Sequence, residues 1–108
     1  MITNVVVMGG YDSARLTSTE ILDVATMSWT TGPNLPVAVY YNRGVTSETG
    51  TYLGFSTGGQ TSSGKSNKIY GLKETSENVY TWEEVHSMTT TRTAHRVVNV
   101  PKSLLPNC

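Results

Sequence analysis

A single cysteine, Cys108, leaves the chain without the means to close a disulfide within itself or to build a cysteine-based zinc site. Apolar runs are short, and none approaches the roughly 20 residues of a membrane-spanning helix. The start, Met1-Ile2-Thr3-Asn4, lacks the basic and long apolar regions of a secretory signal, and no Asn-x-Ser/Thr acceptor occurs. The expected location is therefore the cytoplasm. Excess charge is also absent: 8 basic residues balance 8 acidic ones, which leaves no electrostatic footprint for nucleic acid or an acidic membrane. Aspartate is scarce, with only Asp12 and Asp23. No window of eleven or more residues sustains a helical apolar stripe.

Ser and Thr are abundant and interleave with Val, Ile, Tyr and Trp, the composition of strands and turns. The arrangement repeats. Val5-Val6-Val7-Met8 ends in Gly9-Gly10, and Tyr52-Leu53-Gly54-Phe55-Ser56-Thr57 ends in Gly58-Gly59, 49 residues on (9 to 58). Trp29 and Trp82 follow 53 apart, as do Leu35 and Met88 in the turns beyond them. The second unit thus holds four extra residues between its Gly pair and its Trp, expected in a surface loop over Lys73–Tyr80. Thr19-Glu20-Ile21-Leu22-Asp23-Val24 alternates polar and apolar positions as a half-buried strand does, and Lys68–Leu72 is its counterpart. Further strands are expected near each Trp, at Gly44-Val45-Thr46 and at Arg96–Val100. Four short strands in roughly 50 residues is the arithmetic of a propeller blade.

The order of apolar strand, Gly-Gly, loop, Glu20-Ile21-Leu22-Asp23, Trp29 and a Pro-rich turn resembles the kelch repeat. The second copy runs through Gly58-Gly59, Ile69-Tyr70, Trp82 and Met88–His95. It departs from the pattern in having no Asp after Tyr70, while the first copy has Val39 where Arg is usual. The resemblance implies an all-β fold, a partial kelch β-propeller of about two four-stranded antiparallel blades with extra edge strands. Its repeats would span 1–36 and 43–88, a third blade would begin at 92–100, and 101–108 would be a tail. A propeller closes with about four to eight blades, so the chain is expected to be a section of a larger one. Gly9, Gly10, Gly58 and Gly59 are expected where backbones approach closely, and Trp29 and Trp82 between adjacent sheets.

One motif competes with this reading. Gly59–Ser66 matches G-x-x-x-x-G-K-[ST] and follows an apolar strand. Phosphate binding there would need a helix directly after Ser66 and a magnesium-organising Asp beyond it. Asn67–Leu72 reads instead as a strand, and both aspartates lie upstream. The expectation is a Ser/Gly-rich connection between strands. His86 and His95 match no ligand spacing, and Glu83 and Glu84 point to opposite faces of a strand. No cofactor or metal is expected.

The resemblance implies a protein–protein interaction module, such as a ubiquitin-ligase substrate adaptor or an actin-associated scaffold. The implied binding loops are Tyr11–Ser18, Val37–Asn42, Gln60–Ser66 and Thr89–His95. Their candidate contact residues are Tyr11, Asp12, Arg15, Tyr40, Tyr41, Gln60, Lys65, Arg92 and His95, since aromatic and Arg side chains dominate interface hot spots. The partners implied are a protein and the remaining blades, with no nucleic acid and no membrane. The alternatives are part of a kelch-fold enzyme, galactose-oxidase-like or a sugar epimerase, and a non-functional truncated product.

Overall fold

The computed structural model describes residues 4–46, 51–77 and 79–98. These residues form strands and turns with no helix among them, and so no helix long and apolar enough to cross a membrane. Two antiparallel sheets dominate. The first contains β1 (Asn4–Met8), β2 (Thr19–Asp23) and β3 (Ser28–Thr31) in sequence order. The second contains β4 (Arg43–Thr46), β5 (Gly54–Thr57), β8 (Lys68–Ser76) and β9 (Val79–Ser87), again in sequence order. Between β5 and β8 a small hairpin, β6 (Gln60–Thr61) and β7 (Gly64–Lys65), stands apart. This is the all-β architecture of a partial propeller, with sheets of three and four strands.

A set of backbone hydrogen bonds recurs at equivalent positions of the two units. Gly9 N–H donates to Ser18 and Gly58 N–H to Lys68, both at 3.0 Å. Gly10 donates to Val39 (2.8 Å) as Gly59 does to Arg92 (2.7 Å). Leu16 and Ser66 each donate back to the second Gly of their unit, and Leu35 donates to Thr17 as Met88 does to Asn67. Across the strands Leu22 pairs with Trp29 and Leu72 with Trp82. The positive φ angles recur too: 70° and 109° at Gly9 and Gly10, 60° and 104° at Gly58 and Gly59, then 59° at Tyr41 and 52° at Ala94.

These equivalences locate the four extra residues of the second unit. One lies between Gly59 and Leu72, and three lie in the β8–β9 connection. The expected Lys73–Tyr80 loop is therefore mostly hairpin, because Lys73 pairs with Thr81 and Glu74 with Tyr80 as both strands lengthen. Thr75 reinforces the tip by donating to the Val79 carbonyl. Residues 96–98 are not in a strand, and the rest of the expected Arg96–Val100 strand, like the 101–108 tail, lies outside the described residues.

The core sits between the two sheets. Leu72, Tyr70 and Trp82 face the first sheet, where Val6 and Met8 pack against them, and Leu35 and Val39 fill the join from the connecting segment. The Trp82 indole N–H donates to Thr19 Oγ1 (3.1 Å) and lies 3.2 Å from the Pro33 carbonyl, so it ties the second sheet to the first. Trp29 behaves differently from expectation. It is 53% exposed against 7% for Trp82. The physical reason is its place: Trp29 shares the outer face of the first sheet with Val5 and Leu22, and no described residue covers that face as the first sheet covers Trp82. On the far face of the second sheet Tyr52 lies over Gly71 and donates its hydroxyl to Glu83 (2.8 Å), a hydrogen bond that raises the phenol's pKa.

Candidate functional site

The four segments expected to bind partners meet along one edge of the molecule, held there by backbone bonds. Val39 and Leu16 bridge the second segment to the first. Tyr40 and Gln60 then exchange two bonds, Tyr40 N–H to Gln60 O (3.1 Å) and Gln60 N–H to Tyr40 O (2.7 Å), which join the second to the third. Gly59 and Arg92, with Ser66 and Arg92, join the third to the fourth, and Ala94 N–H reaches Tyr41 O at 3.1 Å. The sequence arrives at this edge because the Gly pairs tolerate such close approach. A side chain at Gly59 would collide with Val39, and one at Gly58 would meet the Arg92 carbonyl and His95.

At the junction of the two units lies a depression of about 690 Å³, lined in part by Gly10, Tyr11, Arg15, Tyr40 and Tyr41. Its three tyrosines form a row. The Tyr11 and Tyr40 rings are 5.4 Å apart between centroids and the Tyr40 and Tyr41 rings 4.6 Å, all tilted. Arg15 places its guanidinium carbon 5.5 Å from the Tyr40 centroid, a cation–π contact. A tight reversal, with Tyr11 and Arg15 bridged and Ser13 at φ 65°, brings Arg15 back beside Tyr11. Arg15 Nε is buried and has no hydrogen-bond partner. Tyr11 and Tyr41 are 64% and 58% exposed, so large aromatic surface remains open to a partner.

The other candidates lie around this row rather than in it. Asp12 is exposed on the same reversal, with its N–H donating to Ala14. Gln60 sits beside Tyr40 through the main-chain pair. Lys65 is exposed on the β6–β7 hairpin and borders a separate depression of about 360 Å³ that also contains Ser63, Ser66 and Glu84. The Gly59–Ser66 segment is thus a hairpin leading into strand β8, with no helix to aim amides at a phosphate. Arg92 is exposed and joins the framework through its backbone.

His95 is turned inward. Its Nε2 lies 2.7 Å from Thr57 Oγ1, its carbonyl accepts from Arg43 Nε, and its Nδ1 is buried without a partner. Burial, followed by the charges of Arg43 and Arg92, lowers its pKa. By position His95 is the counterpart of Asn42, whose Nδ2 donates to Ser56 Oγ at 2.9 Å. Sequence reasoning missed Asn42 and Arg43 as clasps of this edge. The 53-residue offset that aligns Asn42 with His95 was the available signal. Among the described residues no three His, Cys, Asp or Glu side chains converge in a way that could hold a metal.

The family model described as the Kelch motif matches residues 3–36. No curated protein matches the chain.

Proposed function

The Kelch motif matches residues 3–36, and from that premise we propose that the chain is a kelch-repeat protein that serves as a protein–protein interaction module whose binding face is the loop edge. The observation that carries this reading is the row of Tyr11, Tyr40 and Tyr41 with Arg15, gathered at the junction of two repeats with half or more of two rings in water. Tyr and Arg combine large rigid contact area with few torsions to immobilise, which is why they dominate hot spots. The repeats proposed are 1–36 and 43–88, with a third unit beginning at 92–100. The outer face of the first sheet, with Val5, Val7 and Trp29, fits a further blade, because Trp82 occupies the same register on the face that packs against the first sheet.

Within that module we place the protein among substrate adaptors and scaffolds, such as those serving ubiquitin ligases or actin, in the cytoplasm. The test is a double substitution, Tyr11→Ala with Tyr41→Ala. Both side chains are largely exposed, so the melt should move little, about 0.5 kcal/mol per site. Capture of the partner recognised by the unsubstituted protein should weaken at least tenfold. Full retention of that partner would refute the loop edge as the binding face.

A further inference from the structure

Two sheet faces of the molecule are apolar, open to water and unlike each other. The outer face of the first sheet presents Val5 (43% exposed), Val7 (47%) and Trp29 (53%). The far face of the second sheet presents Val45 and Phe55, paired across β4 and β5, with the Tyr52 ring 5.5 Å from that of Phe55 and all three partly exposed. The charged groups there already have partners: Lys73 lies 3.8 Å from Glu83, and Arg43 donates to the His95 carbonyl. The join inside the chain identifies these faces as the two halves of one kind of contact. In that join the side of the second sheet with Leu72 and Trp82 packs on the side of the first with Val6 and Met8. The counterparts of Leu72 and Trp82 are Leu22 and Trp29, on the open outer face. The counterparts of Val6 and Met8, 49 residues on, are Phe55 and Thr57, on the far face.

We propose that the chain assembles head to tail with further copies of itself, the Trp29 face of one copy seated on the Tyr52–Phe55 face of the next. This rests on the repeat reading above and names a second copy as what covers the first sheet's outer face. A second copy fits because each one carries both unfilled halves of the contact, in the orientation its own two sheets already use. Such a contact is heterologous, so it repeats from copy to copy until a circle closes. Sheets related in this way close in circles of about four to eight. Two sheets per copy then make rings of about two to four copies. Ile69 stands where Thr19 does, and Glu20 where Tyr70 does. The join between copies therefore lacks the hydroxyl that accepts from the Trp82 indole and the buried ring of Tyr70. It is weaker than the join within the chain, and the ring comes apart on dilution.

The test is sedimentation velocity with native mass spectrometry on the whole chain, from about 100 μM down to about 1 μM. Rings of one copy number should give way to monomer on dilution, and Trp emission should move to the red as Trp29 returns to water. Neither readout needs a variant. Trp29→Glu and Phe55→Glu should each weaken self-association by about a hundredfold or more, with far-UV circular dichroism unchanged. Should Phe55→Glu fail to fold, Tyr52→Lys spoils the same face. Mixed in equal amounts, the two variants contribute one intact face each and should recover a one-to-one dimer that grows no further. A monomer at about 100 μM would overturn the proposal, as would aggregates that neither substitution disperses. So would a symmetric dimer that Phe55→Glu leaves intact, since Trp29 faces would then be meeting each other. An all-β monomer that loses its partner on Tyr11→Ala with Tyr41→Ala would overturn the ring and leave the interaction reading standing. Rings whose partner capture survives that double substitution would uphold the ring and overturn the loop edge.

Discussion

Replacing Trp82 by Ala removes an indole that is 7% exposed, whereas the same change at Trp29 removes one already 53% exposed. A buried Trp takes roughly 200 Å² out of water, about 5 kcal/mol at 25 cal/mol per Å², and Trp→Ala in cores costs about 3–5 kcal/mol. At Trp82 the change also deprives the buried Thr19 hydroxyl and the Pro33 carbonyl of the indole donor, about 1–3 kcal/mol more if neither finds water. Trp29 loses about half the area, which puts its cost near 2 kcal/mol or less. Global stabilities of about 5–15 kcal/mol leave Trp82→Ala unfolded or nearly so and Trp29→Ala folded. Trp82→Phe keeps most of the packing, loses the donor, and should fall between the two. Urea melts followed by far-UV circular dichroism read all three without relying on Trp fluorescence. With m near 2 kcal/mol/M, the Trp29→Ala midpoint should drop by about 1 M or less. Equal midpoints for the two Ala variants would refute the assignment of Trp82, and not Trp29, to the join between sheets.

Gly59→Ala should destabilise more than Gly64→Ala by at least about 2 kcal/mol: both sit at positive φ, but only at Gly59 would the new methyl strike Val39 and Asn42. Matched denaturant melts decide this, and equal costs would show that backbone conformation alone matters. The lowered pKa of His95 means that the unfolded chain binds its proton more readily than the folded one. Its contribution to stability is therefore complete above about pH 6.5 and declines as pH falls from there towards the folded value. His95→Asn, which installs the amide already used at Asn42, should flatten that slope between pH 5 and 7 in melts at fixed salt. An unchanged slope would place the titration elsewhere.

The repeat was legible because its markers are local: a Gly pair at the end of an apolar strand, and a Trp after a strand of alternating pattern. Those short patterns located β1, β2, β5 and the start of β8. The Lys73–Tyr80 segment misled because six consecutive residues, Lys73 to Asn78, are polar, a composition shared by loops and by the solvent-exposed tip of a hairpin. Pairing across the strands, which composition does not encode, separates the two. Trp29 misled for a different reason. Its sequence neighbours match those of Trp82, but burial depends on what lies against the sheet, and that differs at the two positions. At the loop edge the residue types were legible and their company was not. Arg15 and Tyr40 are 25 residues apart, and only the bridges from Leu16 to Val39 and from Tyr40 to Gln60 bring them into one row. His95 stood among the expected contact residues because it ends the Thr89–His95 loop. Its inward turn follows from Thr57 and the space that Gly58 leaves open.

Each Gly pair is clasped by a segment that comes after the last strand of its own sheet: Gly10 by Val39, beyond β3, and Gly59 by Arg92, beyond β9. Sheet boundaries and cooperative boundaries are therefore out of phase. A cut placed after Ser87 would leave every strand of the second sheet intact and still strip Gly59, Ser66 and Thr57 of the segment that locks them. During synthesis the same offset imposes an order. The first sheet can pair its strands once Thr31 has emerged, yet it stays unlatched until Val39 follows, and the residues that latch it then run directly into the first strand of the next sheet. Closure of one unit and initiation of its neighbour are a single event in the chain.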